Sequence, residues 1–132
     1  TSDILLLFNS NNGNARILTS TDISDVVTLP ENNGSWSINV GKNYVMYTYG
    51  DVSTNFVTVK LYDRTFNLVK TLTTTHTGGW QDTYGVKDRF VLVVNDGNYV
   101  YSYMITSTIT DVIKQSNNNT DYVVNDFYYW ND

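Results

Sequence analysis

The chain has no cysteine, so no disulfide braces it and its redox compartment leaves no trace in the sequence. It has one proline and one histidine. Alanine occurs once, at Ala15, and glutamate once, at Glu31. That scarcity of strong helix formers argues against a helical fold. One imidazole and no thiol leave almost nothing for a zinc site. Basic residues are few, eight against thirteen acidic ones, for a net charge of −5. Arg16, Lys42, Lys60, Arg64, Lys70, Lys87, Arg89 and Lys114 are spread along the chain, not clustered as a phosphate backbone requires. No nucleic-acid partner is therefore expected. No apolar run approaches the ~20 residues of a membrane helix. The run Ile4 to Phe8 is short and lacks the basic flank of a signal peptide. A first residue of Thr1 fits a processed product or a cut-out segment.

What is abundant points one way. Eleven Tyr, five Phe and three Trp accompany many Val and Thr, the residues that suit a pleated surface. Asn, Asp and Gly supply turns. A chain of 132 residues fits one domain and can bury roughly two-thirds of its unfolded surface. The expectation is an all-β domain with a real core.

Self-comparison reveals a repeat. Trp36 and Trp80 lie 44 residues apart, each after a glycine turn, Asn33-Gly34-Ser35 and Thr77-Gly78-Gly79. Gly41 and Gly85 follow five residues after each Trp. Apolar runs come next, Tyr44-Val45-Met46-Tyr47 and Phe90-Val91-Leu92-Val93-Val94, then the turns Gly50-Asp51 and Asn95-Asp96-Gly97. Alternating strands follow, with Val57, Val59 and Leu61 on one face in the first copy and Tyr99, Tyr101, Tyr103 and Ile105 in the second. Leu68 to Leu72 and Asp111 to Lys114 close the units. Thr19-Ser20-Thr21 through Val27 resembles Thr106-Ser107-Thr108 through Ile113, so Ile4 to Phe8 corresponds to Phe90 to Val94. Tyr122-Val123-Val124 and Phe127 to Trp130 repeat the first two strands of a unit. The expected division is a partial unit 1–33, units 34–77 and 78–119, and a partial unit 120–132.

The second strand of each unit is apolar on consecutive residues, as in a strand buried on both faces. The third and fourth alternate and are more polar. Such a gradient suits a β-propeller blade, and a repeat of ~42–44 residues falls in the ~40–50 range of blades. Tyr44 to Tyr47, Phe56 to Asp63 and Asn67 to Leu72 resemble the blade pattern of YVTN-type and related β-propeller repeats. The resemblance implies a propeller-like architecture and an extracellular, cell-surface or virion setting; it assigns no catalytic residue. The Trp-Asp and Gly-His signature of WD40 blades is absent. Propellers have 4–8 blades, so about three units imply a homo-oligomer or a segment of a larger repeat protein. A β-trefoil, which closes with three four-strand units, and another β-sandwich or barrel stay open.

Chemistry is sparsely marked. His76 stands alone in Thr73-Thr74-Thr75-His76-Thr77 and reads as an exposed turn residue, because a catalytic base needs a nucleophile and an orienting group. No nucleophile elbow, His-Glu-x-x-His pair or phosphate loop occurs. Twelve of the thirteen acids are Asp; Asp51, Asp63, Asp96, Asp121 and Asp126 fall at turns, where they cap backbone groups. Asn95-Asp96-Gly97 and Asn125-Asp126 offer oxygen ligands to calcium, without an Asp-x-Asp-x-Asp loop. A glycosidase needs two facing carboxylates, and no motif marks such a pair. The sequons Asn33-Gly34-Ser35 and Asn118-Asn119-Thr120 arise readily in Asn-rich turns.

The functional expectation is therefore a non-enzymatic interaction or structural module: a surface or virion structural component or an adhesion domain, with protein or glycan partners, no cofactor and no metal. The alternative is a lectin with sites at the Trp-containing turns. Its sugar-binding candidates are Asn33, Trp36, Trp80, Gln81, Asp82 and Tyr122. Against it, Trp36 and Trp80 read first as fillers between units, Tyr99, Tyr101 and Tyr103 as an inter-sheet packing stripe, and Trp130 as packed against a neighbour.

Overall fold

A computed structural model describes residues 4–30, 36–51, 53–75 and 80–116. These form three antiparallel sheets, each with its strands in chain order. The first holds β1 (Leu5–Phe8), β2 (Asn14–Leu18) and β3 (Val27–Thr28). The second holds β4 (Trp36–Val40), β5 (Tyr44–Gly50), β6 (Val57–Asp63) and β7 (Leu68–Thr74). The third holds β8 (Trp80–Val86), β9 (Arg89–Asn95), β10 (Tyr99–Ile105) and β11 (Thr110–Ser116). The strands expected at Tyr122–Val124 and Phe127–Trp130 lie outside the described residues, as does His76. The described sheets do not close into a barrel or ring.

Two turns recur between sheets. After β1 and β5 the chain makes the same loop: the Gly13 N–H reaches Asn9 O at 2.8 Å, and the Asn55 N–H reaches Asp51 O at 2.7 Å. Gly13 and Asn55 both have positive φ, 74° and 59°, a conformation Gly and Asn tolerate best. Side chains repeat the match: Asn9 Oδ1 accepts from Asn11 N and Asp51 Oδ1 from Ser53 N. Hydrogen bonds from the Ser53 hydroxyl and N–H hold the Asp51 carboxyl below its ordinary pKa. Thr19 and Thr106 each turn the chain after the third strand of a unit, their hydroxyls accepting from Asp22 N and Ile109 N. The Thr-Ser-Thr resemblance read in the sequence is this turn.

Two apolar clusters hold the sheets face to face. One joins the first and second sheets through Ile4, Ala15, Ile17 and Leu29 against Val45, Tyr47, Tyr62 and Phe66. The other joins the second and third through Met46, Val57, Val59 and Leu61 against Phe90, Leu92, Val94, Tyr101, Tyr103 and Ile105. The second sheet is thus covered on both sides, which is why β5 is apolar on consecutive residues and buried from Val45 to Thr48. β1 does not follow that rule: Leu5 and Leu7 are exposed, because no described sheet lies on their side.

Two alignments suggested by the sequence shift. The Val57-Val59-Leu61 stripe and the Tyr101-Tyr103-Ile105 stripe are not the same face of equivalent strands. They are opposite faces, and they meet each other across one seam. The hairpin pairings fix the true match: Val57 lies opposite Gly50, and Val100 opposite Asn95. The equal Trp-to-Gly spacings also conceal a difference, since a register shift between Trp80 and Asp82 moves β8 relative to β4. Gly41 closes its hairpin with Tyr44, whereas Gly85 pairs with Phe90 inside the strand. Both glycines serve one end. A Cβ on Gly41 would lie 3.1 Å from the Phe90 ring, and one on Gly85 2.9 Å from it.

Candidate functional site

The two seams and the two outer faces are the surfaces this unit builds. At the seam of the second and third sheets, Asp88 lies in the two-residue turn between β8 and β9. Lys87 and Asp88 both have positive φ, 48° and 68°, the form whose twist matches a tight hairpin. The Asp88 carboxylate then reaches the preceding sheet's hairpin. Its Oδ1 accepts from Asn43 N at 2.8 Å and Tyr44 N at 3.1 Å, and its Oδ2 from Asn43 Nδ2 at 2.8 Å. Further along, Thr83 meets Ser37 and Asn39 through hydroxyl contacts of 2.6 and 2.9 Å. At the opposite margin Lys70 Nζ donates to Thr106 O and Ile109 O at 3.1 and 2.9 Å.

The seam of the first and second sheets is closed differently. The Trp36 ring meets Phe8 edge-on at 5.0 Å, and the Tyr47 hydroxyl donates to Pro30 O at 3.1 Å. Tyr62 packs edge-on against Phe66 at 5.0 Å. Burial, with Tyr49 and Tyr47 nearby, pushes the Tyr62 phenol up to about 12. Here the outer strand is broken: the Ser24 hydroxyl takes the Ile17 N–H at 2.8 Å, and β3 is reduced to Val27 and Thr28. A cavity of about 220 Å³ remains, lined by Ile17, Asp22, Ile23, Ser24, Asp25, Arg64 and Thr65. No cluster of three or more metal-ligating side chains occurs among the described residues.

Among the described residues, the outer faces of the first and third sheets carry exposed apolar side chains. On the first sheet, Leu5 and Leu7 stand out from β1, and a hollow of about 320 Å³ runs among Leu7, Phe8, Asn9, Asn14, Ala15, Arg16 and Val26. On the third, Met104 and Ile113 are exposed on the side away from the second sheet, with Val93 buried nearer the middle of that face.

Of the residues expected to hold a sugar, Trp36 and Asp82 have described side chains. Trp36 is 41% exposed at the margin of the first seam. Asp82 is exposed, its carboxylate accepting from Thr83 N and the Tyr84 hydroxyl, both at 2.8 Å. Trp80 and Gln81 begin β8, but their side chains, like Asn33 and Tyr122, lie outside the described residues. Tyr101 and Tyr103 are buried in the second seam, as the packing reading expects; Tyr99 at the rim carries Lys114 Nζ 3.9 Å above its ring. Sequence reading missed Asp88, Lys70 and Thr83. The Lys87-Asp88 pair between two strands was the available signal for a turn, but nothing in it announces a bond to the preceding sheet. Among the described residues no helix is long and apolar enough to cross a membrane. No family model, curated protein or solved structure matches the chain.

Proposed function

We propose that the chain is a non-enzymatic interaction module, a stack of propeller-like β units serving as a structural or adhesive component at a cell or virion surface. The observation that carries this reading is the pair of apolar end faces, Leu5 and Leu7 on one and Met104 and Ile113 on the other. Exposed apolar groups gathered on one face mark contact surfaces more often than chance. The acidic, turn-rich remainder keeps such a module soluble. Incubation with panels of chromogenic glycosides, esters and peptides tests it. The reading expects no turnover; turnover abolished by one Asp→Asn change would overturn it.

A second reading has one observation in its favour. Trp36 presents a partly exposed indole, held edge-on by Phe8, and such a face can stack on a pyranose. On a glycan array, binding lost in Trp36→Ala with the fold intact would favour a lectin. The interaction-module reading expects Trp36→Ala to lower stability instead, by loosening the first seam.

A further inference from the structure

We propose that Asn12 is a site of spontaneous deamidation whose rate is set by opening of the loop between β1 and β2. The inference goes beyond the interaction-module reading and does not depend on it.

The fold itself creates the reactive pair. Gly13 has φ 74°, and a Cβ there would lie 3.0 Å from Leu29 O. Gly13 O in turn accepts from Leu29 N at 2.8 Å, and Leu29 is buried in the first seam. The loop therefore calls for glycine at this position; an asparagine, as at the matching Asn55, would crowd Leu29 O. Glycine has no side chain to shield its nitrogen. The exposed Asn12 side chain thus precedes the backbone nitrogen best able to attack it. In the matching loop of the second sheet Thr54 stands in the place of Asn12, with no amide to lose.

The chemistry needs only water. Gly13 N gives up its proton and attacks Asn12 Cγ. A bond forms between them, the Cγ–Nδ2 bond breaks, and ammonia leaves. Water then opens the succinimide ring at either of its two carbonyls. One opening leaves aspartate; the other leaves isoaspartate, with the main chain running through Asn12 Cγ. Each product adds a negative charge.

The closed loop holds both reacting groups away from that path. The Gly13 N–H donates to Asn9 O at 2.8 Å, which engages the proton that must leave. Asn12 Oδ1 accepts from Asn14 N at 3.0 Å, which turns the side-chain amide toward Asn14. Asn9 N donates to Asn14 O at 2.8 Å and ties the two ends of the loop together. Attack waits for these bonds to break, so the observed rate is the chemical rate multiplied by the fraction of loops open.

The test incubates the full chain in mildly alkaline buffer, with and without guanidinium chloride, and follows Asn12 in the tryptic peptide that ends at Arg16. Fragmentation mass spectrometry assigns the position, and enzymatic methylation of isoaspartate identifies the product. Asn9→Ala is run alongside. Asn9 is exposed, and its Oδ1 accepts from Asn11 N at 3.0 Å, so its loss loosens the loop without touching the core. Circular dichroism checks that the variant keeps its sheets. Conversion at Asn12 should be about tenfold or more slower in the folded chain than in denaturant. Folded Asn9→Ala should convert faster than the folded wild type by about threefold or more. Both aspartate and isoaspartate should form. Equal rates in the folded and unfolded chains would overturn the gating, as would a folded variant that converts no faster than the wild type. Aspartate alone would mean direct hydrolysis and overturn attack by Gly13 N, and no conversion in denaturant would overturn the site. Should Asn9→Ala lose its sheets, the wild type decides by itself. Across graded, sub-denaturing guanidinium chloride, conversion at Asn12 should rise in step with amide exchange at Gly13, and conversion that fails to follow that exchange overturns the proposal.

Discussion

The two seams solve one packing problem in unlike ways. Between the second and third sheets an apolar cluster is flanked by polar ties at both margins, Asp88 on the Asn43 turn and Lys70 on the Thr106–Ile109 turn. Between the first and second sheets the cluster is flanked by aromatic contact at one margin and a cavity at the other. Apolar burial is common to both and sets their strength; the ties differ and set how closely the margins approach. Gly41 marks that closeness, since a side chain there would collide with the Asp88 carboxylate and crowd the Phe90 ring.

That contrast can be broken in stages. Phe90→Ala should cost most, about 3–5 kcal/mol, because it empties a fully buried ring site in the second seam. Urea unfolding followed by tyrosine fluorescence would measure it. Asp88→Ala should cost about 2 kcal/mol by removing charge-assisted bonds to two backbone N–H groups and an amide. Amide exchange at Asn43 and Tyr44 should quicken, with little change in the first seam.

Alkaline pH tests the first seam. The Tyr62 phenol keeps its proton to about 12 in the fold, whereas in the unfolded chain it releases it near pH 10. The folded state therefore binds more protons between those values. The contribution is complete below about pH 10 and is lost as pH rises toward 12. Tyr62→Phe should flatten that part of the stability profile. Tyr103, also raised chiefly by burial, should give its own share in the second seam. The smallest effect concerns Thr48, whose buried hydroxyl has no hydrogen-bond partner. The matching position in the third sheet holds Val93, so Thr48→Val should be neutral or stabilising by up to about 1 kcal/mol in thermal unfolding.

Much of this fold was legible. Period-two alternation and the Trp-anchored repeat placed the strands of the second and third sheets, and Thr-Ser-Thr located matching turns. The face each stripe presents was not legible. Val57 and Tyr101 both sit on alternating third strands, and only the register with the neighbouring strands shows that they point in opposite directions. A single extra residue near Trp80 separately moves Gly85 one step from the place of Gly41, and one step along a strand reverses its faces. The broken outer strand of the first sheet escaped notice for a similar reason: Ser24 replaces a ladder bond with its hydroxyl, and a serine before a β-like stretch gives no warning of that. The Trp turns read first as fillers between units and alternatively as a sugar platform; the described indole, Trp36, meets Phe8 of the first sheet edge-on. The polar ties were hidden because each connects residues 36 to 46 positions apart, beyond the reach of local pattern.

The central claim is that successive sheets stack through opposite faces of one repeated unit. Methyl-to-aromatic nuclear Overhauser effects test it most directly. The account predicts cross-peaks from the methyl groups of Val57, Val59 and Leu61 to the rings of Phe90, Tyr101 or Tyr103. Contacts from that valine–leucine stripe only to the first sheet, around Ala15 and Ile17, would contradict it.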